Sequence, residues 1–158
     1  MQRRSVKVSL AALFAALYTV GTVALGPLSF SPHLQVRLAD ALLPVTMVYG
    51  WPSILGVTLG CAIANFFGGL GIIDMTFGPL ANLAACLLGG YIGRWSKLAG
   101  SAVMTAVVSL VVGSYLSLLF GMPIYVGWAT VGAGSLISIN LVGLPLTYTL
   151  ERRKPFKG

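Results

Sequence analysis

"LAGSAVMTAVVSLVVGSYLSLLF", residues 98–120, contains no charged side chain and exceeds the ~20 residues that a helix needs to cross a bilayer core of ~30 Å. The rest of the chain is similar in kind. Apolar residues make up 57% of the 158 positions and charged residues 8%, well outside the range of soluble domains. Working outward from 98–120, five further apolar runs fall at 8–25, 38–49, 54–67, 77–92 and 126–150. Because such runs recur to the end of the chain, the first is not read as a secretory signal peptide. The expected fold is an all-α integral membrane protein: six transmembrane helices in one compact bundle, forming a single domain over residues 1–158. There is no room for a separate soluble catalytic module.

Turn residues separate the runs, with "GPLSFSP" after the first, "GWPS" after the second, "GGLGIID" after the third, "RWSK" after the fourth and "FGMP" after the fifth. Runs two to four are shorter than a perpendicular crossing requires, so the second and third could instead form a re-entrant pair. The net charge of +7 could suggest nucleic acid. However, Arg3, Arg4, Lys7, Arg94, Lys97, Arg152, Arg153, Lys154 and Lys157 all lie on one side of a six-crossing topology, leaving only Arg37 on the other. The positive-inside rule makes the first side cytoplasmic, places both termini there, and accounts for the charge without nucleic acid.

This topology gathers the polar residues. His33, Gln35, Arg37 and Asp40 lie at the outer entrance of the second run, Asn65 at the outer end of the third, Asp74 in the following outer loop and Asn82 in the outer part of the fourth. A charged side chain at mid-membrane costs about 2.5–3.5 kcal/mol on insertion scales unless it is paired or faces a wet cavity. A cavity open to the outside would explain all of them together.

Each residue also has a purely structural reading. Arg37 and Asp40 at i and i+3 can form an intrahelical ion pair. Asp40 lies one turn deeper, beside an arginine that would keep it ionised, which favours ligand contact. Asp74 is either a solvated loop residue, a cap for the helix starting near Met75, or a ligand contact. Asn65 and Asn82 serve either as interhelical hydrogen-bond partners or as ligand contacts. Tyr125 and Trp128 suit an aromatic belt, with stacking on a planar ligand as the alternative. Ala11, Ala12, Ala15 and Ala16 occur at four-residue spacings that admit a close helix, either within this bundle or from another subunit. His33 has no second ligand at metal spacing, so no metal is expected, and Cys61 and Cys86 lie within spans and suggest no disulfide. GxxxxGK[ST], HExxH and a Ser/His/Asp set are all missing, so the chain is not read as an enzyme, no cofactor is expected, and any active transport must draw its energy from a partner.

"VRLADALLPV" (36–45) followed by "GVTLGCAIANFFGGLGIIDMTFGPLANLAACLLGGYIGR" (56–94) resembles the QueT family, the substrate-binding S components of energy-coupling factor (ECF) transporters that import queuosine precursors. The Arg-x-x-acidic-Ala-Leu and Asn-Phe-Phe-Gly-Gly to Asp-x-x-Phe-Gly elements stand in the family's order and spacing. In one respect the chain departs from the pattern: Asp40 stands where glutamate is usual. The resemblance implies a prokaryotic plasma-membrane protein that binds a small planar molecule of deazaguanine type and works with a T component and two ABC ATPase subunits. It points to Ala11, Ala12, Ala15 and Ala16 as the docking face, to Asp40 as first acceptor for the base and to Asp74 as second. Arg37, Asn65, Asn82, Tyr125 and Trp128 complete the expected substrate contacts. A different vitamin-like substrate, a self-sufficient carrier and a non-transporting membrane scaffold are the alternatives.

Overall fold

The computed structural model describes residues 2–31 and 35–153, so His33, Lys154 and Lys157 lie outside the described residues. Every regular element among them is helical. In chain order these are α1 (Gln2–Ala24), α2 (Gly26–Ser29), a 3-10 turn (Leu38–Ala41), α3 (Leu42–Tyr49), α4 (Trp51–Gly68), α5 (Ile72–Ile92), α6 (Lys97–Phe120), α7 (Ile124–Ser135), a π-helical segment (Leu136–Gly143) and α8 (Leu144–Arg153).

The boundaries follow local chemistry. Prolines in the first turns of α2 and α4 occupy positions whose N–H would have no partner in the helix. Gly50, Gly69, Gly71 and Gly121 take positive φ values of 73°, 70°, 93° and 65°, a region that side chains disfavour, and each stands at a break between helices. The Ser96 hydroxyl accepts from the Ala99 N–H at 3.3 Å and caps α6.

Five helical stretches are long and apolar enough to cross a membrane: α1 from Arg4, α4, α5, α6 and the continuous 124–153 run. The stretch Leu38–Tyr49 is shorter, and at 1.5 Å per residue it reaches only about 18 Å. Six equal spans were expected, and the difference lies there. α4 and α5 are each longer than their apolar runs because Pro52 starts one helix early and Asp74 lies inside the other.

Close backbone approaches join these helices. A methyl group added at Gly56 would lie 2.5 Å from the Ala11 carbonyl oxygen, and one at Gly60 would lie 2.6 Å from that of Ala15. The numbers rise together, so α1 and α4 run parallel. Gly100 meets the Gly89 carbonyl and Gly127 meets that of Gly113, at 2.5 and 2.3 Å by the same measure. Small residues make such contacts possible where no hydrophobic effect drives helices together. The alanine stripe divides accordingly: Ala11 and Ala15 are half-buried toward α4, while Ala12 and Ala16 are exposed. At one end of the bundle Lys97 Nζ pairs with Glu151 at 2.5 Å and sits 5.6 Å from the Tyr148 ring centre, tying α6 to α8. Arg4, Lys7, Arg94, Lys97, Arg152 and Arg153 belong to that end, and Arg37 to the opposite one.

Candidate functional site

Two buried carboxylates, Asp40 (4% exposed) and Asp74 (0%), organise the Arg37 end of the bundle. Arg37 precedes the 3-10 turn with extended backbone angles, φ −92° and ψ 93°. Its side chain therefore does not share a helical face with Asp40, and the expected i, i+3 pair does not form. The guanidinium instead reaches α5, where Nη2 lies 3.3 Å from Asp74 Oδ1. Nε donates to the Ser29 carbonyl at 3.4 Å, and the Phe30 ring centre lies 5.3 Å from the guanidinium carbon.

Asp74 also departs from its expected place. It is neither in a loop nor a cap, because α5 begins at Ile72 and Asp74 falls within its first turn, where it is fully buried. A carboxylate at that depth needs compensation, and Arg37 and Tyr115 supply it. The Tyr115 hydroxyl donates to Asp74 Oδ1 at 2.5 Å. Asn65 Nδ2 donates to the Asp74 backbone carbonyl at 2.7 Å and bridges α4 to α5. Gly78 makes space for that amide: a methyl there would lie 2.3 Å from Asn65 Nδ2.

Asp40 has different surroundings. The Tyr18 hydroxyl donates to its Oδ1 at 2.5 Å, and Asn82 Nδ2 donates to the Tyr18 oxygen at 2.9 Å. One chain of hydrogen bonds thus links α5, α1 and the 3-10 turn. Among the described residues no Lys or Arg nitrogen lies within 4.0 Å of the Asp40 carboxylate. Asp40 opens instead onto a small cavity lined by Gln35, Arg37, Asn82, Val108, Val112, Val131 and Ser135. Its volume is about 10 Å³, room for roughly one water molecule. A larger depression of about 410 Å³ lies by Thr46, Trp51, Tyr91 and Arg94, away from both carboxylates.

Of the residues singled out in the sequence, Arg37, Asp40 and Asn82 share the cavity lining, while Asp74 and Asn65 stand behind Arg37. Tyr125 and Trp128 are not in the lining. α7 turns Gly127, Val131, Gly134 and Ser135 inward, so Tyr125 is 70% exposed and Trp128 donates from Nε1 to Ser114 Oγ at 2.9 Å on the outer side. That spacing removes both rings from a stacking position. Tyr18 and Tyr115 were not expected at the site. Tyr18 could have been found from its spacing, since Phe14, Tyr18 and Thr22 repeat at four residues and all three are buried. Among the described residues no group of three or more His, Cys, Asp or Glu side chains is arranged to hold a metal, and Cys61 and Cys86 are buried free thiols.

The family model of the QueT transporter matches residues 8–152. The chain belongs to the QueT transporter family. QueT proteins are ECF-type S components, so a transport role and a multi-pass membrane location follow from membership. No curated protein and no solved structure matches the chain.

Proposed function

We propose that this QueT chain captures a small planar molecule of the deazaguanine, queuosine-precursor type at the Asp40 cavity and delivers it inward with a T component and two ABC ATPases in a prokaryotic plasma membrane. The observation that carries the reading is the state of Asp40. It is a buried carboxylate held by uncharged donors, with no cation of its own and a cavity beside it. A carboxylate of this kind accepts from a ring N–H and an adjacent amine, and in a site shielded from water such bonds discriminate strongly between ligands.

The cavity holds about one water molecule, whereas small-molecule pockets run to hundreds of cubic ångströms. Capture therefore requires the wall to move and close again. The mobile wall in this reading is the chain between α1 and α3, because it contributes Gln35, Arg37 and Asp40 to the lining while the other lining residues stand on long helices. The Arg37 end faces outward in a six-crossing arrangement with both termini cytoplasmic, a reading supported by the basic residues at the other end. Exposed Ala12 and Ala16 support a docking face for the T component on α1, whereas Ala11 and Ala15 are already engaged with α4.

Purifying the protein from cells supplied with a 7-deazaguanine base and identifying the co-purified small molecule by mass spectrometry tests the substrate. Recovery of the base from wild-type protein is expected; recovery of none, with no binding by calorimetric titration, would refute it. Single cysteines at Ser96 and Ser31, probed in intact cells with an impermeant reagent, test the orientation. Labelling is expected at position 31 only, and labelling from outside at position 96 would reverse the topology.

A further inference from the structure

Gln35 lines the Asp40 cavity and is 6% exposed, yet its side-chain Oε1 finds no hydrogen-bond donor among the described residues. Buried polar atoms are ordinarily satisfied, so an unpaired acceptor on the wall of a binding cavity calls for a partner that arrives from elsewhere. The residue cannot easily withdraw. Its backbone lies directly on α7, where a methyl group added at Gly134 would come within 2.0 Å of the Gln35 carbonyl oxygen and 3.2 Å of Val36 Cα. α7 contributes Val131 and Ser135 to the same lining, and α6 contributes Val108 and Val112.

The lining therefore divides into two chemical parts. Three valines provide aliphatic surface suited to the face of a ring. Gln35 and Asp40 provide acceptors suited to an edge rich in N–H groups. Asp40 Oδ1 is already engaged by Tyr18, and the Asn82 amide is held to the Tyr18 oxygen, so the Tyr18 chain fixes the carboxylate and leaves Gln35 as a separate acceptor.

We infer that Gln35 is a specificity-determining residue, its Oε1 accepting from an exocyclic amine while Asp40 accepts from the neighbouring ring N–H, so that the site selects planar heterocycles with a 2-amino-4-oxo edge over those lacking the amine. The inference rests on the proposed capture of a deazaguanine-type base. It adds a residue and a defined atom of the ligand to that reading.

The test compares 7-deazaguanine with 7-deazahypoxanthine, which keeps the ring N–H and lacks the amine, by calorimetric titration of detergent-purified protein whose folded fraction is measured in parallel. Wild-type protein is expected to prefer the amine-bearing base by roughly tenfold or more, the scale of one hydrogen bond to a buried acceptor. Gln35→Met, similar in volume but without an acceptor, should lose most of that preference chiefly by weakening the amine-bearing base. Gln35→Glu keeps acceptor oxygens and removes the amide donor, so it should retain the preference, and it decides the matter alone if the Met variant does not fold. An unchanged preference in folded Gln35→Met, or a lost preference in folded Gln35→Glu, overturns the assignment. Wild-type protein that binds both bases equally also overturns it while leaving base capture intact. Wild-type protein that binds neither removes the capture reading and this inference with it.

Discussion

Asp40 and Asp74 are the same residue type, both buried at the same end of the bundle, and their neighbours differ. Asp74 Oδ1 receives a guanidinium and a tyrosine hydroxyl, its backbone carbonyl receives an asparagine amide, and it lines no part of the cavity. Asp40 receives one tyrosine hydroxyl, no cation, and borders the cavity. Burial alone therefore does not identify a binding carboxylate in a membrane bundle. What distinguishes the two is whether the protein's own donors have neutralised the group.

The strongest way to break this comparison is to remove the cation. Arg37→Met leaves Asp74 buried without its charge partner and should cost about 3–5 kcal/mol, the range for breaking a buried ion pair from one side. Thermal unfolding in detergent would show the loss. The double variant Arg37→Met/Asp74→Leu should recover much of it, since an apolar replacement removes both desolvation costs. A single variant as stable as wild type would mean that the pair holds nothing together.

An effect about half as large is expected on affinity. Asp40→Asn keeps the shape but removes the charge, and should weaken binding of a 7-deazaguanine base by about 1.5–3 kcal/mol, roughly tenfold to more than a hundredfold. In Asp74→Asn, binding should instead follow the folded fraction. Calorimetry on folded protein separates the two, and an unchanged affinity in Asp40→Asn would make Asp74 the carboxylate to pursue.

The smallest effects test the same distinction between satisfied and available groups on α1. Ala15 packs against Gly60, so Ala15→Trp overfills that contact and should cost about 1–3 kcal/mol of stability. Ala16 is exposed, so Ala16→Trp should change stability by no more than about 0.5 kcal/mol while reducing co-purification with a T component. If Ala16→Trp assembles as well as wild type, the α1 face is not the docking surface.

Local rules made the helices legible: apolar length, glycine breaks and prolines in first turns mark most boundaries directly. The short Leu38–Tyr49 stretch was the hard case, because an apolar run does not reveal how far it reaches into the bundle. The gathering of Arg37, Asp40 and Asn82 was also legible, from the cost of placing polar groups in lipid. The pairing was not. Arg37 and Asp74 are 37 residues apart, and no spacing rule connects them; the i, i+3 rule pointed to Asp40 because it assumes a helix where the backbone is extended. Tyr18 and Tyr115 escaped notice because tyrosine within an apolar run looks like core or belt, and only tertiary packing brings their hydroxyls to the carboxylates.

The π-helical segment at Leu136–Gly143 gives the last span an unusual sensitivity to length. A π turn closes on i→i+5 bonds and so holds more residues than an α turn. Regularising the segment to α-helix by deleting one residue would rotate everything after it by about 100°, the angle per residue of an α-helix. Asn140, whose amide joins Ser101 and Thr105 of α6, precedes any deletion made after it. Tyr148 and Glu151 follow and would swing away from Lys97. The span thus acts as a phase adjuster, setting an upper half that serves the cavity and a lower half that anchors α8 on different angular registers, which two uninterrupted α-helical halves could not both satisfy.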